Sequence, residues 1–254
     1  MRAGSAVAAV LVVAATPATA SPWNRAPGDI FLATRVDYFL SETAASRYRR
    51  LDTDTYVEWG ATPRLMLGAK AIYGQSWAED LTSVTQQGGV TEAAIFAQRQ
   101  ILRTRRNALA IKLGAGHEGA DVAGFRTGEA NGAEFLDARL LYGRDISARP
   151  IKVFVAAEGG LRERFDGLAD QWRGEAQIGI EPTQRLLVLI GAEAIIAAGD
   201  ASPSSGGYDL AKAGAAFVYR ASRRIRLSVG ARQEFGLRNI SDGRGFHIGL
   251  WTEF

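Results

Sequence analysis

Strict alternation constrains this chain more than any other feature. Its last ten residues, GFHIGLWTEF (245–254), put Phe246, Ile248 and Leu250 on one parity, with His247 and Gly249 between them. Successive side chains of an extended strand point to opposite faces, so this stretch reads as a strand with one apolar face. The same period runs through most of the sequence. It begins with Ile30, Leu32, Thr34, Val36, Tyr38 and Leu40, interleaved with Ala33, Arg35 and Asp37. Further runs cover 52–59, 65–74, 109–116, 136–143, 152–162, 172–181, 188–194, 211–219 and 225–232. The segment TEAAIFAQRQILRTRRN (91–107) also suits an amphipathic helix, because Ala, Gln and Arg are good helix formers. Read by twos, it sets Ala93, Ile95 and Ala97 against Glu92, Gln98 and Gln100, and it brings the expected strand count to twelve.

The start of the chain has a different character. Met1 and Arg2 precede an unbroken apolar run over 6–15, and TPATA then offers Ala18 and Ala20 in the arrangement that a signal peptidase accepts. The run is too short for a membrane helix, which takes about 20 residues. The expectation is an exported chain with a removed leader at 1–20 and a single domain at 21–254. There is no cysteine, which excludes disulfides and thiolate metal sites. After Ala20 no apolar run reaches the ~18 residues of a spanning helix. Hydrophobic residues nevertheless make up 47% of the chain. Their placement at alternate positions therefore decides the class.

Connection lengths point the same way. Short links are expected at 60–64, 102–107, 144–150, 181–185 and 220–224, and longer ones at 41–50, 74–89, 117–133, 163–170, 197–208 and 236–244. Short turns at one end, long loops at the other and an even strand number describe an all-β transmembrane antiparallel up-and-down barrel. The apolar parity carries aromatics near both strand ends: Trp59, Tyr142, Phe217, Tyr219 and Phe254 at the short-turn side, Tyr38, Tyr73, Trp172 and Phe246 at the long-loop side. Rings of this kind sit well at headgroup depth, with aliphatic residues between them facing lipid.

These features resemble Gram-negative outer-membrane β-barrel proteins. In that family the last strand carries alternate hydrophobic residues and a terminal aromatic, which the barrel-assembly machinery reads as an insertion signal; Phe246, Ile248, Leu250 and Phe254 match it. The resemblance implies an outer-membrane location, with lipids and that machinery as partners. SPWNRAPGD (21–29) and YVEWGATPRLMLGAKAIYG (56–74) also resemble small uncharacterised proteobacterial barrels, some associated with exopolysaccharide gene clusters.

The opposite parity defines an expected lumen. Its basic residues are Arg35, Lys70, Lys112, Arg139, Lys152, Arg162, Arg173, Lys212, Arg226 and Arg232. Its acidic residues are Asp37, Asp52, Asp54, Glu58, Glu92, Glu118, Asp137, Glu158, Glu175, Glu181, Glu193, Glu234 and Glu253. His247 joins them, opposite Arg232 or Glu234. Neighbouring charges of opposite sign should neutralise each other across strands. Inward glycines at 68, 114, 179, 191, 214, 230 and 249 are expected to leave room between the long side chains. Leu187, Leu189 and Ile195 also fall on this parity, for which the pattern supplies no reason.

Two functions fit such a lumen. One is a narrow channel for small or extended polar solutes. The other is a filled accessory barrel that serves envelope structure or polysaccharide export. A lipid-modifying enzyme is the third class, and it needs a serine–histidine pair with an orienting group. Only His117 and His247 are available, and no serine stands at a telling spacing, so catalysis is not expected. Two histidines do not suggest a zinc site, and GFRTGEANG (124–132) lacks the strand–helix context of a phosphate cradle. No cofactor is expected. Despite a sequence pI near 9.3, an exported barrel has no access to nucleic acid. Arg64, Arg103, Arg105, Arg106, Arg149, Arg223 and Arg224 cluster at the short turns, where anionic headgroups are their natural partners.

Overall fold

The computed structural model describes residues 21–43, 46–80, 83–119, 132–165, 167–199 and 207–254; the expected leader lies outside them. Twelve strands follow one another: β1 (Ile30–Glu42), β2 (Ser46–Gly60), β3 (Leu65–Asp80), β4 (Val84–Arg103), β5 (Asn107–Glu118), β6 (Ala133–Ser147), β7 (Lys152–Arg164), β8 (Asp170–Thr183), β9 (Leu186–Ala198), β10 (Asp209–Arg220), β11 (Ile225–Arg238) and β12 (Gly243–Glu253). Each pairs antiparallel with its sequence neighbours, and β12 returns to β1 to close a barrel. The final strand meets both edges: Phe246 stands opposite Ala231 on β11 and Tyr38 on β1. Phe254 extends the seam, exchanging two backbone hydrogen bonds with Ile30 at 2.9 and 3.2 Å. Closure leaves no strand edge with unpaired backbone groups, the condition for a sheet surrounded by hydrocarbon.

The period-two pattern sorts the faces as expected. Val36, Ile95, Leu113, Leu140, Ile190, Val229 and Ile248 are exposed on the outside, and so are all nine aromatics of the two expected rings. The charged parity faces in. The 91–107 ambiguity resolves as strand, because Arg99 pairs with Leu65 on one side and Ile111 on the other. A tertiary partner at both edges overrides the helix propensity of the local composition.

The loops required correction. Most of 41–50 and 74–89 is strand, since β1 and β2 are joined by 43–45 and β3 and β4 by 81–83. Hydropathy misses these extensions because both of their faces are polar. Arg47 pairs with Glu42 at 2.7 Å, and Arg49 with Glu79, across the extended hairpins. Long connections remain at 119–132 and 199–208, so the length alternation is confined to part of the barrel.

Candidate functional site: a charge-balanced lumen closed at one end

Inward parity on adjacent strands brings oppositely charged side chains into contact. Around β5–β8, Lys112 Nζ donates to Glu158 at 2.6 Å, and Arg139 binds Asp137 through two nitrogens at 2.7 Å each while also reaching Glu158. Arg162 pairs with Asp137 at 3.0 Å and with Glu118, and it lies 3.7 Å over the Phe135 ring. Arg173 reaches Glu118 at 2.8 Å. On the wall formed by β1, β2 and β11, Arg35 pairs with Asp54 at 2.9 Å, Arg50 with Asp52 at 2.8 Å, and Arg232 with Asp37 and with Glu234. Lys70–Glu92 at 3.2 Å and Lys212–Glu193 at 3.1 Å complete the circuit. An ion withdrawn from bulk water costs several kcal/mol unless a partner offsets it, and these charge-assisted bonds are the offset.

A cavity of about 510 Å³ lies between the walls. Of the residues expected to line the lumen, Arg35, Asp37, Asp54, Lys70, Lys112, Asp137, Arg139, Glu158, Arg173, Glu175, Lys212, Arg232 and His247 do so. Asp52, Glu92, Glu118, Arg162 and Glu193, expected on the same parity, also line it, and Arg50 joins them; among the described residues the arginines and lysines on the wall equal the carboxylates in number. Glu58, Lys152, Arg226 and Glu234 point inward but stand off the cavity. Glu58 is taken up by Arg25, Lys152 by Glu181, Arg226 by Glu253, and Glu234 lies behind Arg232. His247 stands opposite Gly230 and Asp37, two positions from the expected Arg232, because the β11–β12 register is set by the tight return at 239–242.

The short-turn end is closed by a segment that periodicity does not reveal. Residues 21–25 enter the barrel: Ser21, Asn24 and Arg25 are buried, and Pro22 is wholly enclosed. The Asn24 backbone N–H donates to Gln100 Oε1 at 3.1 Å, while Gln98 Nε2 donates to the Ser21 carbonyl at 2.9 Å and to Asn24 Oδ1 at 3.0 Å. Gln100 Nε2 donates to the Pro22 carbonyl at 2.7 Å. Arg25 donates to Glu58 at 2.6 Å, lies 4.2 Å over the Phe31 ring and reaches Glu253 at 3.6 Å. Trp23 meets Phe154 edge-on, with centroids 6.1 Å apart. Beneath the charged cavity, Trp23 thus joins an apolar cluster of Phe31, Ala33, Phe154, Leu187, Leu189, Val218 and Trp251. This cluster is the reason that Leu187 and Leu189 face inward; Ile195 lies on the cavity wall.

Several inward glycines serve packing. Gly68 stands opposite Phe96 and Gly179 opposite Phe154, and in each pair the ring lies over the glycine where a Cβ would be. At Gly143 the occupants are Pro22 and Trp23. At these positions the gaps are filled, whereas Gly114, Gly191 and Gly214 line the cavity as expected. Aromatics on the polar parity, namely Phe31, Phe96, Phe154 and Trp251, were the sequence signal for this filling.

His117 Nδ1 contacts Glu134 at 3.0 Å on an exposed part of the barrel. Among the described residues, no group of three or more His, Asp or Glu is placed to hold a metal ion.

The fold has close counterparts among solved structures. A COG4313 outer membrane channel from Pseudomonas putida F1 superposes with a TM-score of 0.69 at 11% identity, covering 95% of this chain and 100% of that one. The likeness is one of fold. The NanC porin gives 0.54 at 8% identity over 87% and 98%, and the translocator domain of the autotransporter NalP from Neisseria meningitidis 0.51 at 12% over 91% and 90%. No family model matches the sequence, and no curated protein matches it.

Proposed function

We propose that this protein is a bacterial outer-membrane channel for small polar solutes, exported by the leader at 1–20 and inserted with its short turns in the periplasm. The observation that carries this reading is the 510 Å³ charged cavity inside a barrel whose outer face is aliphatic between two aromatic rings. Such a wall has no use for lipid on its inside or water on its outside. That a COG4313 outer membrane channel and the NanC porin share the fold supports the same reading. Because its basic and acidic groups balance, the lumen favours neutral or zwitterionic solutes over ions of one sign. Phe246, Ile248, Leu250 and Phe254 act as the recognition element for the assembly machinery.

A second reading rests on residues 21–25. Their hydrogen bonds and the apolar cluster close the periplasmic end, as a non-conducting accessory barrel of the envelope or of polysaccharide export would require. Planar-bilayer recording of the purified protein, with and without residues 21–26, tests both. Conductance that appears or rises on deletion supports a channel closed by this segment. No conductance from either protein overturns the channel.

A further inference from the structure

At β4 the aliphatic band on the outside of the barrel is broken. A groove of about 400 Å³ runs along β4 near the short turns. Ala97 forms its floor, flanked across strands by Leu67 and Leu113. Nearer the turns, Arg99 stands on the same outward parity, and Arg64 borders the groove from the β2–β3 turn. The register shift between Gln100 and Leu102 bends β4 at this point.

We propose that this groove holds one anionic glycerophospholipid of the periplasmic leaflet, its phosphate on Arg64 and Arg99 and an acyl chain over Ala97. The inference rests on the outer-membrane reading. The inward arginines described above have carboxylates, whereas among the described residues the guanidinium groups of Arg64 and Arg99 have neither a hydrogen-bond nor an ion-pair partner. No acidic residue borders the groove. A guanidinium on a lipid-facing surface is costly at mid-bilayer and tolerated near the interface, where phosphate oxygens match its paired N–H donors. Arg99 lies opposite Leu65, the first residue of β3, which sets it at that level. A small side chain between two leucines then leaves an apolar depression beside the charge, where an acyl chain can lie.

The test is native mass spectrometry of the detergent-purified barrel titrated with dioleoyl phosphatidylglycerol. R64Q/R99Q should weaken binding of the first lipid about thirtyfold, given ~1 kcal/mol for each of the two basic residues near an anionic surface. A97L, which fills the floor without changing charge, should weaken it as well. R223Q/R224Q, on the β10–β11 turn at the same end, should leave it unchanged. Equal weakening by both arginine pairs would mean diffuse attraction by the rim and would overturn the site. Competition by free sn-glycerol 3-phosphate at equal concentration would show a phosphate site that ignores the chain, and would overturn the lipid assignment. Heat-modifiable mobility of each variant reports folding. Because the titration does not read conductance, a lumen that fails to conduct leaves this result standing, and the reverse also holds.

Discussion

The backbone N–H of Asn24 donates to the side-chain carbonyl of Gln100 at 3.1 Å, joining residues 76 positions apart inside the barrel. Gln98, only 1% exposed, makes the companion bonds to Ser21 and Asn24. Two inward amides on β4 therefore anchor the segment that closes the lumen. Q98A/Q100A should release this segment and raise single-channel conductance several-fold, with barrel mobility on gels unchanged. Removing one amide leaves buried backbone groups unpaired, which costs about 1–3 kcal/mol per group. Conductance equal to wild type would place residues 21–25 outside the conducting path.

Trp23→Ala attacks the same closure from its apolar side. The ring packs on Phe154 and covers the cluster with Phe31 and Trp251. Truncating a fully buried Trp costs about 3–5 kcal/mol when the site cannot collapse, and the half-buried Trp23 costs less. Here the loss should fall on docking of the segment and not on the barrel. The expected record is frequent opening with an unchanged urea midpoint; a lowered midpoint without opening would make Trp23 part of the barrel's own stability.

Arg139→Glu should make the lumen cation-selective. Arg139 holds both Asp137 and Glu158, so reversal gathers three carboxylates on one wall and tips the balance of charges. Breaking a buried pair costs about 3–5 kcal/mol, which Arg139→Gln shares without adding the negative charge. A reversal potential in a salt gradient that shifts with Glu and less with Gln is the expected outcome. Identical potentials in all three proteins would locate the selective contact elsewhere.

Leu113→Arg and Lys112→Ala separate the two faces of β5. Leu113 is 58% exposed on the outer wall, and a cation there costs ~2–4 kcal/mol at mid-bilayer. Lys112 faces Glu158, which keeps Arg139 when the lysine is lost. Folding yield into phosphatidylcholine vesicles should fall sharply for the first variant and slightly for the second; the opposite order would put β5 out by one residue.

Deleting Phe254 should impair assembly in cells far more than refolding in detergent. The residue is 63% exposed on the outside and exchanges backbone hydrogen bonds with Ile30 at the barrel seam. Removal costs two bonds and one interfacial anchor, a modest loss in vitro, but it takes away the terminal aromatic of the proposed insertion signal. Normal heat-modifiable mobility of the deletion protein from outer membranes would reduce Phe254 to ordinary packing.

The local pattern determined the architecture of this protein. A side chain's face follows from its parity along an extended strand, so Val36 against Asp37 and Lys112 against Leu113 were legible at once. The closing pair of β12 with β1 followed too, because an open edge in hydrocarbon is too costly. Parity says nothing about what reaches across the lumen. Tertiary structure decided that Trp23 meets Phe154, that Gln98 and Gln100 hold residues 21–24, and that Gly68 and Gly179 are covered by rings. It also decided that the polar ends of β1–β4 remain paired, since backbone hydrogen bonding needs no apolar face. Each of these depends on chain segments far apart in sequence filling one space. Alternation fixes the direction in which a side chain points, and only closure of the barrel fixes what it meets there.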